Sequence, residues 1–325
     1  MESSSEPALR LAPHAVLLRR SATELQIGVE PSVVVPQEFD RLVRSLVTGT
    51  DPGRLARTAD EQGLPARAVP DLLGALAEAQ LLRSGSTPAT RPVRVVGAGP
   101  LGARTARELV VAGVPTLYLA DLPEPPQQAK SSRTGRPASR RSDGPDRLDL
   151  LVAALGEARA GARVRRSRHF VHPEGDTVAL TVVVADGPEP DRLVPDLLRE
   201  AGAPHLLVRC WGDEAVVGPL VVPGTTSCVR CADLTRRDTD GRWPWLLEQL
   251  TRLRMEPAPS LLAWAAVTAA VQSLAFLGGG VAETLGHTLE LGTDHHTMRL
   301  RAWSVHDECP CRWTGTTRGG GSDPA

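Results

Sequence analysis

The sequence predicts an α/β protein. Its main body is a Rossmann-like, mostly parallel sheet with a cysteine-stapled C-terminal hairpin. A small winged-helix-like α+β domain precedes it. Three observations carry this expectation. Residues 93–121, VRVVGAGPLGARTARELVVAGVPTLYLAD, read as strand, glycine turn, helix, strand, acid. An apolar run at 178–185 ends on Asp186, the pattern of a central parallel strand. Two close cysteine pairs, Cys228/Cys231 and Cys309/Cys311, stand far apart in the chain, on either side of a helical stretch and a hairpin.

In chain order, residues 14–35 read as two or three short strands, broken by the polar stretch 20–23. Pro36 opens a helix with Phe39, Leu42, Val43, Leu46 and Val47 on one face, and Gly49 ends it. Asp51 is placed to cap a second helix with Pro52 at its first position. A third helix carries Val69, Leu72, Leu73, Leu76 and Ala79. These elements make a domain over residues 1–83. The stretch 84–92, SGSTPATRP, is a linker by composition. The main domain spans 93–313, and a polar tail, 314–325, is expected to be disordered. Within the main domain, 122–145 is a proline-rich, basic stretch without apolar periodicity, long for a connection in a compact sheet. Helices are expected at 148–160, 191–201, 242–253 and 260–277, and strands at 163–171 and 205–209. A strand at 215–221 contains Gly218 and Pro219, which predicts an edge or a bulge. Alternating segments at 287–291 and 297–303 predict an antiparallel hairpin.

The glycine turn carries the first candidate site. Gly97 permits a tight turn, Gly99 lets a phosphate approach the backbone, and Gly102 lets the helix sit close to the strand. Amides at the helix start suit a phosphate, and Asp121 is placed to accept from a ribose hydroxyl. The same pattern serves nicotinamide oxidoreductases. Charge narrows the partners: a net charge of −1 gives no global field for nucleic acid. Residues 261–277 are apolar but Ala-rich and contain Gln272, which reads as a buried helix rather than a membrane span. No segment resembles a signal peptide, so the expected compartment is the cytoplasm. Few aromatic residues and many Ala, Gly, Pro and Arg look like coding bias.

The cysteines carry the second candidate site. CxxC and CxC spacings each let two thiolates reach one ion, and four thiolates form the closed tetrahedral shell of a structural zinc. His306, in HxxC spacing with Cys309, competes for one place. A redox dithiol at Cys228/Cys231 lacks a recognisable helix start. Cys210, after an apolar strand, reads as a buried small residue or as a thiol facing the crevice.

Together, the glycine turn, Asp121, the strand ending on Asp186, and the stretches GTTSCVRC and HDECPC resemble the ThiF/MoeB/HesA-type activating enzymes, bacterial relatives of ubiquitin-activating enzymes. HDECPC resembles the variant second cysteine pair of the branch linked to ribosomal peptide modification. The resemblance implies ATP and Mg2+, adenylation of a C-terminal carboxylate, and a homodimer. It places Asp121 as the ribose acid, Asp186 as the magnesium-associated acid, and Arg192 as the arginine that follows. In the loop, Gly135, Arg136 and Pro137 echo the family's GRP element. Arg133 stands in for the phosphate-facing arginine, and Lys130, the single lysine of the chain, supplies charge from a shifted position. The pattern also departs: the family's asparagine is absent, its lysine is replaced by Ala138 or a neighbour, and Asp186 lacks the usual polar neighbour. Two functions therefore stand side by side. One is an adenylyltransferase acting on a peptide or small carrier protein. The other is a binding protein that delivers a precursor leader peptide to a partner such as a cyclodehydratase. A non-catalytic dimerisation scaffold is the third alternative.

The N-terminal domain bears on this choice. Strands followed by three short helices resemble the leader-peptide recognition element of peptide-modification systems, whose sheet edge pairs with a peptide strand. The expected edge is 15–19 or 24–29. A DNA-reading winged helix is the rival, but its third helix, 65–80, offers Arg67 as its cation. A packing domain without a ligand is the remaining reading.

Overall fold

The structure, a computed structural model, describes residues 9–12, 14–84, 91–121, 146–171, 177–293 and 298–311. The chain divides into two compact units, Met1–Thr87 and Pro88–Ala325. The tail expected at 314–325 lies outside the described residues.

The first unit holds β1 (Leu9–Leu11), β2 (Leu17–Arg19), β3 (Glu24–Ile27), β4 (Val33–Pro36), α1 (Asp40–Thr48), α2 (Pro52–Glu61), α3 (Ala68–Glu78) and β5 (Leu82–Ser84). Each helix forms for the reason its sequence suggests. α1 buries Leu42, Val43 and Leu46. α2 starts on Asp51, whose carboxylate accepts from the Arg54 amide at 2.8 Å, with Pro52 at the first position. α3 buries Ala68, Leu72 and Leu76. These faces close on Leu25, Ile27 and Val35 to make one core. The small sheet runs β2-β3-β4, all antiparallel. The strand at 24–29, expected as a candidate edge, is therefore its centre, and β2 and β4 are the edges. A second pair, β1 with β5, joins the start of the unit to its end. Sequence patterning missed it because three-residue strands carry no periodicity.

The second unit holds β6 (Val93–Val96), α4 (Pro100–Val111), β7 (Thr116–Ala120), α5 (Arg147–Glu157), β8 (Arg163–Arg166), β9 (Leu180–Ala185), α6 (Leu193–Glu200) and β10 (His205–Trp211). It continues with β11 (Glu214–Val221), α7 (Val229–Thr239), α8 (Trp243–Leu250), α9 (Pro259–Leu277), β12 (His287–Gly292) and β13 (Arg299–Ala302). The eight-stranded sheet has the order β13-β12-β11-β10-β9-β6-β7-β8. From β8 to β10 every pairing is parallel, and from β10 to β13 every pairing is antiparallel. β6, β7 and β9 are buried at every residue, as a sheet covered on both faces requires. Val93, Val95, Val182, Val208 and Ala215 face a core shared with α4, α5 and α9. Val96, Ala120 and Val183 face α6 on the other side.

α9 is long and apolar enough to cross a membrane by composition. Here it packs on α4, β10 and β11, and its buried Gln272 accepts from the Thr284 backbone N–H at 3.1 Å and hydroxyl at 3.2 Å. It is a core helix of this unit.

One expectation is corrected in part, and one helix was not expected. The 215–221 strand is interior, between β10 and β12, so it is no edge, but it carries the bulge that was the other reading. Leu206 pairs with Leu220 and Val208 with Val217, which leaves an extra residue in β11 at Gly218 and Pro219. Gly218 has φ +109°, and a Cβ there would run into the His287 carbonyl of β12. The glycine serves a close strand approach rather than an edge. α7, which follows Cys228 directly, was not expected, because VRCADLTRRDT has few apolar residues to set a period.

Candidate functional site

The chain passes from β6 to β7 and β8 on one side and to β9 and β10 on the other. The crevice outside the carboxyl ends of β6 and β9 is thus the topological switch point, where ligands of open α/β sheets bind. The glycine turn follows β6, Asp121 follows β7 and Asp186 follows β9, so topology brings the three to one place.

Their contacts are specific. Gly97 has φ +111°, a conformation that favours glycine. A Cβ on Gly102 would fall on the Gly97 carbonyl, and a Cβ on Gly99 would fall on the Asp186 carboxylate. Gly102 therefore allows close packing of α4, as the sequence predicts. Gly99 makes room for Asp186, a side chain of this same chain. The Asp121 carboxylate accepts from the Ala98 amide at 3.1 Å, and the Asp186 carboxylate accepts from the Leu101 amide at 3.1 Å. Asp186 thus sits on the N-terminus of α4, the favourable end for negative charge.

Burial raises the Asp186 carboxyl above its ordinary value. The Leu101 amide, Arg147 and Arg254 oppose that shift, and Asp121 adds to it. Arg147 opens α5, and Arg254 lies in the segment after α8. Sequence reasoning missed both, because each comes from a segment whose approach to Asp186 is set by tertiary packing. The cations it did single out, Lys130, Arg133 and Arg136, lie outside the described residues.

Arg192 belongs to another cluster. Its guanidinium forks onto Asp233 at 2.7 and 2.8 Å, donates to Glu189 at 2.9 Å, and reaches the Pro190 carbonyl at 2.7 Å. Burial disfavours the charge on Arg192, yet these acids hold its pKa above the ordinary arginine value. Glu189 is buried too, which pushes its carboxyl up, but Arg209, Arg192 and Arg236 together hold it below its ordinary value. Arg236 lies 4.7 Å from the ring centres of both Trp243 and Trp303. Beside this cluster opens a cavity of about 390 Å3, lined among others by Pro188, Arg209, Trp211, Val216 and Met255.

Cys210 lies inside the core that faces α9, and burial followed by the nearby Asp186 charge pushes its thiol up to about 12. It is an inert buried thiol at physiological pH.

The second site is the cysteine cluster. Cys228, Cys231, Cys309 and Cys311 are all buried, with their four sulfurs within 4.8 Å of one another. Cys228–Cys231, Cys228–Cys309 and Cys231–Cys311 are 3.8, 3.6 and 3.4 Å apart. Tetrahedral Zn–S bonds of about 2.3 Å put sulfurs about 3.8 Å apart, so the donor set fits zinc. Cys228 caps α7, a helix start that the sequence did not reveal, yet the approach of the second pair marks a four-thiol site rather than a dithiol. Cys228 and the His306 backbone favour the Cys231 thiolate against its burial. The His306 ring is occupied elsewhere. Its Nε2 bonds Asp238 at 2.8 Å, and its Nδ1 accepts from the Glu308 amide at 3.1 Å.

A sheet that is parallel from β8 to β10, switches at β6/β9 and is closed by an antiparallel hairpin beside a four-cysteine cluster is a fold shared with solved structures of MccB. E. coli MccB with ATP matches at TM-score 0.59 and 16% identity, covering 93% of this chain and 98% of that one. The microcin C7 biosynthetic enzyme MccB in complex with N-formylated MccA matches at TM-score 0.58 and 16% identity, covering 94% and 99%. A heterocyclase in complex with substrate and cofactor matches at TM-score 0.56 and 16% identity, covering 94% of this chain and 39% of that one. At such identities the likeness is one of fold. No protein-family model and no curated protein matches the sequence.

Proposed function

We propose that this chain is an E1-like protein of ribosomal peptide modification. Its N-terminal unit recognises a precursor peptide, and the protein delivers that peptide to a modifying enzyme of the cyclodehydratase type. The observation that carries this reading is the β2-β3-β4 sheet. It ends in two edge strands, and its outer positions Leu18 and Val34 are 44% and 40% exposed. Leu18, Gln26 and Val34 are cross-strand neighbours, so they form one stripe on one face. An extended peptide can add its backbone to β2 or β4 and lay apolar side chains along that stripe. The folds matched point the same way: one MccB structure holds N-formylated MccA, and the heterocyclase holds substrate and cofactor.

A second reading, ATP-dependent adenylation, is favoured by the convergence of Asp121 and Asp186 on the glycine turn. In that reading Gly97, Gly99 and Gly102 line the phosphate path, Asp121 holds the ribose, and Asp186 holds Mg2+. ATP would supply the leaving pyrophosphate. Arg147 and Arg254, with Lys130, Arg133 and Arg136, would offset its charge. Arg192 would position the 186–192 segment from its Asp233 fork. The first reading is preferred because Asp186 lies on the α4 N-terminus, the place a phosphate needs.

Two accompanying assignments complete the proposal. The four-cysteine cluster holds a structural zinc, and five cysteines free of disulfides suit the cytoplasm. The protein is a homodimer, for which exposed Trp245, Leu246, Val267 and Val271 offer apolar surface.

The deciding experiment is pyrophosphate exchange with ATP, Mg2+ and the precursor encoded nearby, alongside titration of the same peptide. Peptide binding without exchange, retained in Asp186→Ala, is expected. Exchange that Asp186→Ala abolishes would replace the delivery reading with adenylation. Loss of peptide affinity on Leu18→Asp and Val34→Asp is expected from the sheet edge. Unchanged affinity in both would remove that role.

A further inference from the structure

The first unit carries a feature that peptide addition to its sheet does not use. α1 and α2 pack side by side, and their outer faces form a groove of about 490 Å3. On α1 the groove is lined by Arg41, Arg44, Ser45 and Thr48. On α2 it is lined by Arg54, Arg57, Thr58 and Glu61. Each set repeats at helical spacing and stands opposite the buried face of its own helix, Leu42, Val43 and Leu46 on α1 and Leu55 and Ala59 on α2.

The charge here is segregated. Residues 1–87 contain nine arginines, no lysine and eleven carboxylates, so the unit is acidic as a whole. Four of the nine arginines line this one groove, against the single carboxylate of Glu61. Arg44 is paired, donating to Asp40 at 2.7 Å. Arg41, Arg54 and Arg57 make no ion pair among the described residues, and all three are exposed. The hydroxyls of Ser45, Thr48 and Thr58 donate back to carbonyls of their own helices. The donors available to a ligand are therefore guanidinium N–H groups, whose planar fork matches a carboxylate.

Like charges gathered along one groove repel one another, and an anion lowers that energy. Helices of nine and ten residues are about 15 Å long, the length of four or five extended residues. That favours a short linear segment over a folded surface. We infer that the α1/α2 groove is a docking site for an extended acidic peptide segment, held by Arg41, Arg54 and Arg57. This goes beyond the delivery reading and does not depend on it. The site is separate from the β2 and β4 edges.

Fluorescence anisotropy on the full chain tests the inference. The probe is a fluorescein-labelled octapeptide of alternating Glu and Asp, with an octapeptide of alternating Gln and Asn and a single-stranded oligonucleotide of equal charge as comparators. The acidic peptide is expected to bind at low salt, with affinity falling about ten-fold or more between 50 and 300 mM salt. Arg41→Gln combined with Arg57→Gln is expected to weaken it at least five-fold with an unchanged circular dichroism spectrum, as is Arg54→Glu alone. Arg83→Gln, outside the groove, leaves affinity unchanged. Equal affinity for the neutral octapeptide overturns the inference. So does tighter binding of the oligonucleotide, or groove variants that bind as well as the parent.

Discussion

Asp186 is the residue on which the two readings of the crevice turn. Its carboxylate accepts from the Leu101 amide, and glycine at position 99 is what leaves space for it. Sequence alone marked both residues, because a strand ending on an acid and a GxGxxG turn are local patterns. It assigned Gly99 to the approach of a phosphate; the structure adds that the Asp186 carboxylate stands where a Cβ on Gly99 would be. His205 carries a different lesson. It opens β10 fully buried, with Nδ1 against the Ala203 carbonyl at 2.9 Å, and burial lowers its pKa to about 4. The unfolded chain, with an ordinary histidine value near 6.5, binds more protons between about pH 6.5 and 4. His205 therefore favours the fold above about pH 6.5, and that contribution is lost as pH falls through the window. Urea denaturation is expected to show about 2 kcal/mol less stability at pH 5 than at pH 7 from this residue. His205→Leu, less stable at every pH through the lost hydrogen bond, should show a flatter slope over the same window. A slope identical to the parent's would assign the acid sensitivity elsewhere.

At the scale of elements, the four-cysteine knuckle ties the start of α7 to the chain after β13. Nearby, Trp303 stacks on Arg236 of α7 and donates to Thr288 of β12 at 3.1 Å. The hairpin is therefore fixed to the helix by a metal-type cluster and a cation–π sandwich together. The cysteine pairs were legible in sequence because ligand spacing survives without tertiary knowledge. α7 was not, since its packing residues Val229, Cys231 and Ala232 fall within one turn and the remainder is polar. The role of His306 was also undecided in sequence, because HxxC spacing cannot show that Asp238 and Glu308 already occupy the ring. Freshly purified, metal-replete protein is expected to contain about one zinc per chain. Cys309→Ser should lose it and melt several degrees lower, and His306→Ala should keep it. Plasma emission measurements on the three proteins check this; zinc lost from His306→Ala and kept in Cys309→Ser would reverse the ligand assignment.

For the whole molecule, the informative fact is that the two compact units have separate cores. Leu25, Ile27, Leu42, Leu46, Leu55 and Leu76 form a core with no member from beyond residue 87, and the large sheet builds its own. β1 and β5 pair, so residues 9–11 lie beside residues 82–84, and the small sheet and three helices between them share one core. The SGSTPATRP composition shift marked a linker in the sequence, whereas the closing strand pair left no such mark, since three-residue strands carry no periodicity. A unit of this size buries about two thirds of its unfolded surface, which is marginal but sufficient when its three helices share one core and β1 pairs with β5. Residues 1–87 expressed alone are therefore expected to fold, with helical circular dichroism and a cooperative melt. Arg10→Pro, which breaks β1 and removes the bond from Arg10 to the Thr48 carbonyl, should abolish that melt. A fragment that is unfolded at 25 °C would show that its core needs the larger unit.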